Sequence, residues 1–195
     1  MAADRALLTL AESGVVGGRI YSWDAVWVTL GSSQTPEETL VDLDRVPYAM
    51  RPTGGGAVLH GHDITVAIAI PLRRSVRGTY RLVTGPLIQA LVNSGVSAVL
   101  GEEMSGPKGT PDSFDCFARV SANDIVDSTT HVKVCGCALR RTASAVLLQA
   151  SIPAKPPAIN PAEVICGGVR SHATSLDLDR FIDNLRESLN ELESL

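Results

Sequence analysis

The chain has 195 residues, 45% hydrophobic and 19% charged, a mix that builds about one globular domain and excludes disorder. Its 17 basic and 21 acidic side chains leave a net charge of −4, so no overall field draws it onto nucleic acid. Mean hydropathy is +0.15, and the apolar runs break before the roughly 20 residues of a membrane span.

The opening reads as a helix, with Ala6, Leu7, Leu10 and Ala11 on one face and Gly14, Gly17 and Gly18 as its stop. It carries Asp4 and Glu12 and lacks a basic start followed by an apolar stretch, so no signal peptide is expected. A strand follows around Val26, Val28 and Leu30, then a polar stretch from Ser32 to Glu38 and a short segment from Leu40 to Val46. Residues Ile64 to Ile70 are saturated in Ile, Val and Ala, the pattern of a buried strand. A helix runs from Gly78 to Leu91, with Tyr80, Val83, Leu87 and Leu91 at helical spacing and Gly95 where a left-handed cap belongs. Val96 to Leu100 reads as a strand, Glu102 to Asp115 as a loop, and Val132–Cys135 and Val146–Ile152 as two further strands. A proline-rich connector from Ala154 to Pro161 precedes a last helix striped by Phe181, Leu185, Leu189 and Leu192. This irregular interleaving fits an α+β or α/β domain with a mixed β-sheet flanked by helices. Four cysteines without framework spacing fit a reducing, cytoplasmic compartment.

The segment Arg51-Pro52-Thr53-Gly54-Gly55-Gly56-Ala57-Val58-Leu59-His60 stands apart. Three consecutive glycines are entropically costly and are kept where the chain turns sharply or where a ligand lies against bare backbone. With Arg51 before them and the Thr53 hydroxyl among them, anion or carbonyl recognition by N–H groups is one reading, and a tight turn the other. No Gly-Lys-Ser/Thr closes the run as in a phosphate loop, and the contiguous glycines do not match a dinucleotide fingerprint. His60 and His62 flank Gly61 beside Asp63; with no third ligand in sight, a structural or loop-orienting histidine is expected rather than a metal site.

These residues resemble the signature of the lipoate–protein ligase A and lipoyl/octanoyl transferase superfamily, which shares a catalytic core with biotin protein ligases. Asp4-Arg5-Ala6-Leu7-Leu8 resembles its first helix, and Leu30-Gly31-Ser32-Ser33-Gln34 the turn after its first core strand. Asp63-Ile64-Thr65 resembles the acidic step after the histidine. Asp124-Ile125-Val126 and Lys133-Val134-Cys135-Gly136-Cys137-Ala138 resemble its lysine motif, and Ala173-Thr174-Ser175-Leu176 echoes a late one. The resemblance implies an α+β fold, a mixed β-sheet flanked by helices, in one biotin/lipoate protein ligase-like catalytic domain over 1–195 without a C-terminal accessory domain. It implies transfer of an octanoyl or lipoyl group to a lysine of a lipoyl carrier domain, such as glycine-cleavage H protein or an E2 lipoyl domain. Acyl carrier protein is then an expected donor. By the same resemblance Arg51, Thr53, Gly54, Gly55, Gly56 and His60, with Gly136 and Ala138, line the acyl site, and Lys133 lies near the reacting carbonyl.

Met50 stands where many members have a second arginine, and Ser144-Ala145-Val146-Leu147 stands where LipB-type octanoyltransferases keep their cysteine. Cys116, seventeen residues before Lys133, matches the cysteine placement of the ligase-like transferases. A thiol divides acyl transfer from thioester to amine into two exchanges, and a nearby ammonium lowers the thiol pKa and steadies the tetrahedral oxygen. Cys116 is therefore the expected nucleophile and Lys133 its partner, although Phe114 and Phe117 also fit a cysteine packed in the core. Such a transferase needs no cofactor. An ATP- and Mg-dependent ligase core acting on free lipoate or octanoate is the second reading, and a non-catalytic lipoyl-carrier or acyl-binding module the third. Cys135 and Cys137 read as packing residues, and His131 and His172 as isolated surface residues. Arg140-Arg141 reads either as a solvated turn or as a contact for a pantetheine phosphate or an acidic carrier.

Overall fold

A computed structural model describes residues 1–72, 75–103 and 112–193. The middle of the expected Glu102–Asp115 loop, 104–111, lies outside the described residues. The elements are α1 (Ala2–Glu12), β1 (Gly17–Ser22), β2 (Val28–Leu30), α2 (Pro36–Thr39), β3 (Tyr48–Met50), β4 (Val58–Leu59), β5 (Asp63–Pro71) and α3 (Val76–Asn93). There follow β6 (Ala98–Leu100), β7 (Ile125–Asp127), β8 (Lys133–Arg141), β9 (Ala145–Pro153) and α4 (Leu178–Glu193), with short 3₁₀ turns at Gly101–Glu103, Cys116–Ala118 and Pro161–Glu163.

Six strands form one sheet in the order β1-β5-β9-β8-β7-β6, every neighbouring pair antiparallel. A smaller sheet, β3-β2-β4, supplies the mixed character, since β2 runs parallel to β3 and antiparallel to β4. Strand alternation explains how the large sheet is covered. Val66, Ile68 and Ile70 of β5 and Leu148, Ala150 and Ile152 of β9 face Val83, Leu87 and Leu91 of α3 and Phe181 and Leu185 of α4. The opposite face carries small residues, Ala67, Ala69 and Ala145 with Leu147, on which Ala11 of α1 rests with Leu7 and Leu8 beside it. Further along the same face the residues become polar, and there the small sheet covers it, held by its own core of Val28, Leu30, Ala57, Leu59 and Ile165.

Three expected elements differ. Gly17 and Gly18 do not stop α1 but open β1; Gly14, at φ +97°, is the residue that turns the chain. Of the Leu40–Val46 segment only Leu40 pairs, in a single bridge to Ile165. The expected Val132–Cys135 strand continues to Arg141, because Ala138 to Arg141 pair with Val146 to Gln149 of β9. Among the described residues no helix is long and apolar enough to cross a membrane.

Candidate active site

Two rows of residues run across the large sheet on its polar face. Tyr21, Thr65, Ser151 and Gly136 stand opposite one another on β1, β5, β9 and β8, and Arg19, Ala67, Gln149 and Ala138 form the next row. From these rows Tyr21, Thr65, Ser151, Gly136, Gln149 and Ala138 floor a narrow cavity, roofed by Thr29, Arg51, Val58 and His60. A wider cleft opens beside it, bordered by Gly55, Gly56, Phe114, Arg119, Asp124 and Lys133. Cys116, Cys137 and Ala138 line both spaces, so the Cys116 residue stands where they meet.

The glycine run is a sharp turn wrapped around Arg51. The buried guanidinium donates from Nη2 to the carbonyls of Gly54 and Gly56, each at 2.6 Å, and from Nη1 to the Thr29 carbonyl at 3.1 Å. Gly55 takes φ +86°, which a residue with a side chain adopts only under strain. Gly56 is a close approach: a Cβ there would lie 2.7 Å from the Cys116 nitrogen and 2.8 Å from the Phe114 carbonyl. The Cys116 turn therefore sits directly on the glycine loop, fastened by Cys116 N–H donating to the Ala57 carbonyl at 2.8 Å. Arg51 and Thr53 were expected to offer their groups to a ligand. Instead Arg51 is occupied by the loop's own carbonyls, and Thr53 is fully buried, donating to Gln149 Oε1 at 2.8 Å. Gln149 in turn donates to Asp4, which pairs with Arg19 at 2.8 Å.

Lys133 begins β8 with its ammonium buried. Nζ donates to the Cys116 carbonyl at 2.6 Å and the Arg119 carbonyl at 3.2 Å, lies 2.8 Å from Asp124 Oδ2, and stands 3.3 Å from Cys116 Sγ. Burial opposes this charge, but Cys116 and Asp124 outweigh it and the Lys133 pKa is pushed up to about 12. Asp124 is itself clamped, accepting from Ser121 N–H at 2.7 Å, the Ser121 hydroxyl at 2.9 Å and Cys137 N–H at 3.0 Å. Gly136 makes room for the thiol: a Cβ there would meet Cys116 Sγ at 3.0 Å and Lys133 Cε at 3.3 Å. The ammonium lowers the thiol pKa, as expected, but it is not the largest influence there. Burial pushes the Cys116 thiol up, and the pull of Lys133 and Arg51 does not reverse it.

His60 has both ring nitrogens engaged, Nδ1 at 2.8 Å from Asp63 Oδ2 and Nε2 at 2.7 Å from Thr29 Oγ1, and it stacks on Trp23 at 4.3 Å. Ser151 donates to the same Asp63 oxygen at 2.6 Å and Thr65 at 3.2 Å. Burial works against the Asp63 charge, but His60 and the Ser151 hydroxyl hold its carboxyl below the ordinary range. His60 is thus a structural residue held between Thr29 of β2 and Asp63 of β5 while also facing the narrow cavity.

Of the expected site residues, Arg51, His60, Cys116, Gly136 and Ala138 line the narrow cavity, Gly55, Gly56 and Lys133 the cleft, and Thr53 and Gly54 neither. Sequence reasoning missed Asp124 as the partner of Lys133 and Thr29, Gln149 and Ser151 as cavity residues. It also missed Asp115, which accepts from Phe117 N–H at 2.8 Å and Val169 N–H at 2.9 Å and so sets the Cys116 turn. Only the alternation of β9, which brings Gln149 and Ser151 into an otherwise apolar strand, carried a signal.

The sequence model of the lipoyl protein ligase A/B catalytic domain matches residues 1–187. Among curated proteins, the chain is 29% identical over 168 residues to the octanoyltransferase LipM of Lysinibacillus sphaericus, covering 78% of this chain and 60% of that protein. It is 32% identical over 165 residues to the LipM of Symbiobacterium thermophilum, covering 78% and 59%. The chain therefore spans about three fifths of the length of these relatives. Among solved structures, a lipoate-protein ligase A bound with ATP superposes with a TM-score of 0.72 at 21% identity, covering 97% of this chain and 78% of that one. A bipartite lipoate protein ligase of Thermoplasma acidophilum, described with its E2 lipoyl domain, gives 0.68 at 18% identity, covering 97% and 78%. At these identities the structural likeness establishes the fold.

Proposed function

Because the chain belongs to the lipoyl protein ligase A/B catalytic domain family, we propose that it is an acyltransferase that moves an octanoyl or lipoyl group from a thioester donor to a lysine of a lipoyl carrier domain. The observation that carries this reading is the Cys116 sulfur, 3.3 Å from the Lys133 ammonium at the junction of a narrow slot and an open cleft. Likeness to octanoyltransferases supports the acyl group, and the E2 lipoyl domain described with one neighbour supports the acceptor class. The chain acts as one catalytic domain, with the fatty tail in the slot between the sheets and the arm of the donor in the cleft.

In the first exchange Cys116 sulfur bonds to the acyl carbon, the donor's carbon–sulfur bond breaks, and the thiol proton ends on the departing donor thiol. In the second, the carrier lysine's amine bonds to that carbon, the Cys116 thioester breaks, and an amine proton restores the thiol. Both pass through a tetrahedral oxyanion. Lys133 faces four acceptors with three protons, so its charge steadies the oxyanion through space, and a direct hydrogen bond to it forms only when one of the two carbonyls is given up. Because the thiol is held protonated at rest, its deprotonation belongs to the donor-bound state, where the ammonium gains a second anion to stabilise.

The test is intact-mass analysis after mixing the chain with octanoyl-acyl carrier protein and no nucleotide. Wild type gains one octanoyl group, Cys116→Ala gains none, and the adduct discharges onto a lipoyl domain. No adduct on wild type, an unchanged adduct on Cys116→Ala, or acylation that needs ATP removes the reading.

A further inference from the structure

A basin bordered by Lys133 and Phe117 shares no lining residue with the narrow slot. Four of its lining residues, Arg119, His131, Arg170 and His172, come from three separate segments, and no Asp or Glu lines it. Neither arginine forms an ion pair among the described residues. In sequence His131 and His172 look isolated; the fold brings them to one hollow.

The basin is a built feature. Asp127 accepts from Thr129 N–H at 2.9 Å and Thr130 N–H at 2.7 Å, and the turn so formed delivers His131 at φ +61°. On the other wall, Ser171 Oγ lies 3.0 Å from His62 Nε2, and Val169 N–H donates at 2.9 Å to Asp115, the residue before Cys116. The segment bearing Arg170 and His172 is therefore tied to the cysteine turn itself. Arg119 and Lys133 line both this basin and the cleft, so the two adjoin.

From this placement, and resting on the transferase reading above, we propose that the basin binds the phosphate ester at the far end of the donor's pantetheine arm. Tail and arm leave a thioester carbonyl in opposite directions. With the tail in the slot, the arm runs out through the cleft past Arg119 and away from the slot. An extended pantetheine arm spans about 16 Å from sulfur to phosphorus, at the ~1.2 Å per bond of an extended chain. Arg119 lies three residues from Cys116, about 10 Å of chain at most, so the arm reaches past it into the basin. Guanidinium forks and imidazoles in a concave, acid-free setting suit a phosphate oxygen. The same chemistry occurs as the phosphodiester of a carrier protein and as the pyrophosphate of coenzyme A.

Two measurements test the proposal. In the first, 4′-phosphopantetheine and pantetheine are titrated against the full chain while the imidazole NMR signals of His131 and His172 are followed. Phosphopantetheine moves both signals, pantetheine moves neither, and Arg170→Gln weakens the phosphopantetheine response about tenfold. This readout needs no turnover, so it stands even if Cys116 is never acylated. In the second, acylation by octanoyl-carrier protein, octanoyl-coenzyme A and octanoyl-pantetheine is compared. Arg170→Gln and His172→Gln lower the kcat/KM advantage of the two phosphate-bearing donors over octanoyl-pantetheine by about tenfold. Unmoved imidazole signals overturn the proposal, as does an advantage that survives both substitutions. Loss confined to the carrier-protein donor also overturns it, since that assigns the basin to a protein surface.

Discussion

Replacing Gly136 with alanine separates a reactive Cys116 from a merely packed one. A Cβ at Gly136 would stand 3.0 Å from the sulfur and 3.3 Å from Lys133 Cε. Unstrained contacts between such atoms lie at about 3.5–4.0 Å, so the thiol must withdraw by about 0.5–1 Å. Over-packing of this kind costs about 1–3 kcal/mol of stability. A reacting atom misplaced by about 1 Å loses roughly 10²-fold in rate. Gly18 provides a control, since a Cβ there would meet Leu189 Cδ1, also at 3.0 Å, on the other face of the sheet from the thiol. At exposed Gly18 the end of the half-buried Leu189 side chain can move aside, so Gly18→Ala should change thermal stability little, and only Gly136→Ala should slow single-turnover acylation of Cys116, measured by intact mass. Equal acylation rates in the two variants would refute the reasoning and make Cys116 a packing group.

Two further outcomes follow from the same geometry. Lys133→Met strands the buried Asp124 carboxylate and should cost about 3–5 kcal/mol in urea unfolding, along with about 10²–10³ in acylation rate. Adding Asp124→Asn should restore most of the stability and none of the rate, and a rate that returned would show that Lys133 serves only to neutralise Asp124. Thiolate is the form that reacts with iodoacetamide, and burial raises the Cys116 pKa. Alkylation of Cys116 should therefore climb with pH to a midpoint above that of free cysteine, and Lys133→Met, by removing a cation that lowers the pKa, should move it higher still. Peptide mass mapping follows this, and a wild-type midpoint at or below about 8.5 would mean that the nearby cations outweigh burial and refute the reasoning.

The elements with strong periodicity were legible in the sequence. The β5 run, the stripe of α4 and the α3 pattern all depend on burial along one local stretch of chain. β1, β3, β4 and β7 escaped notice because three of them are only two or three residues long and β1 opens on two glycines; pairing partners, not local pattern, make them strands. In the site, the glycine run announced a tight turn, and family resemblance brought Lys133 and Cys116 together. What the sequence could not convey was which polar groups satisfy one another. Arg51 was read as facing a ligand, yet the three carbonyls that it binds come from the Gly54 and Gly56 loop and from Thr29 on another strand. Asp124 stood in the quoted motif, but its pairing with Lys133 went unread because the two lie on separate segments. At Cys116 the charge proximity of Lys133 is visible in a motif, and the depth of burial that outweighs it is not.

The order β1-β5-β9-β8 places the last strand of the chain between two earlier ones. Ser151 and Gln149, which complete the floor beneath the sulfur, thus arrive only when β9 slides into that gap. A chain that ends before β9 already contains the glycine loop, the thiol and the lysine, but not the residues that floor the slot. Insertion of β9 between β5 and β8 therefore closes the sheet and completes the cavity together.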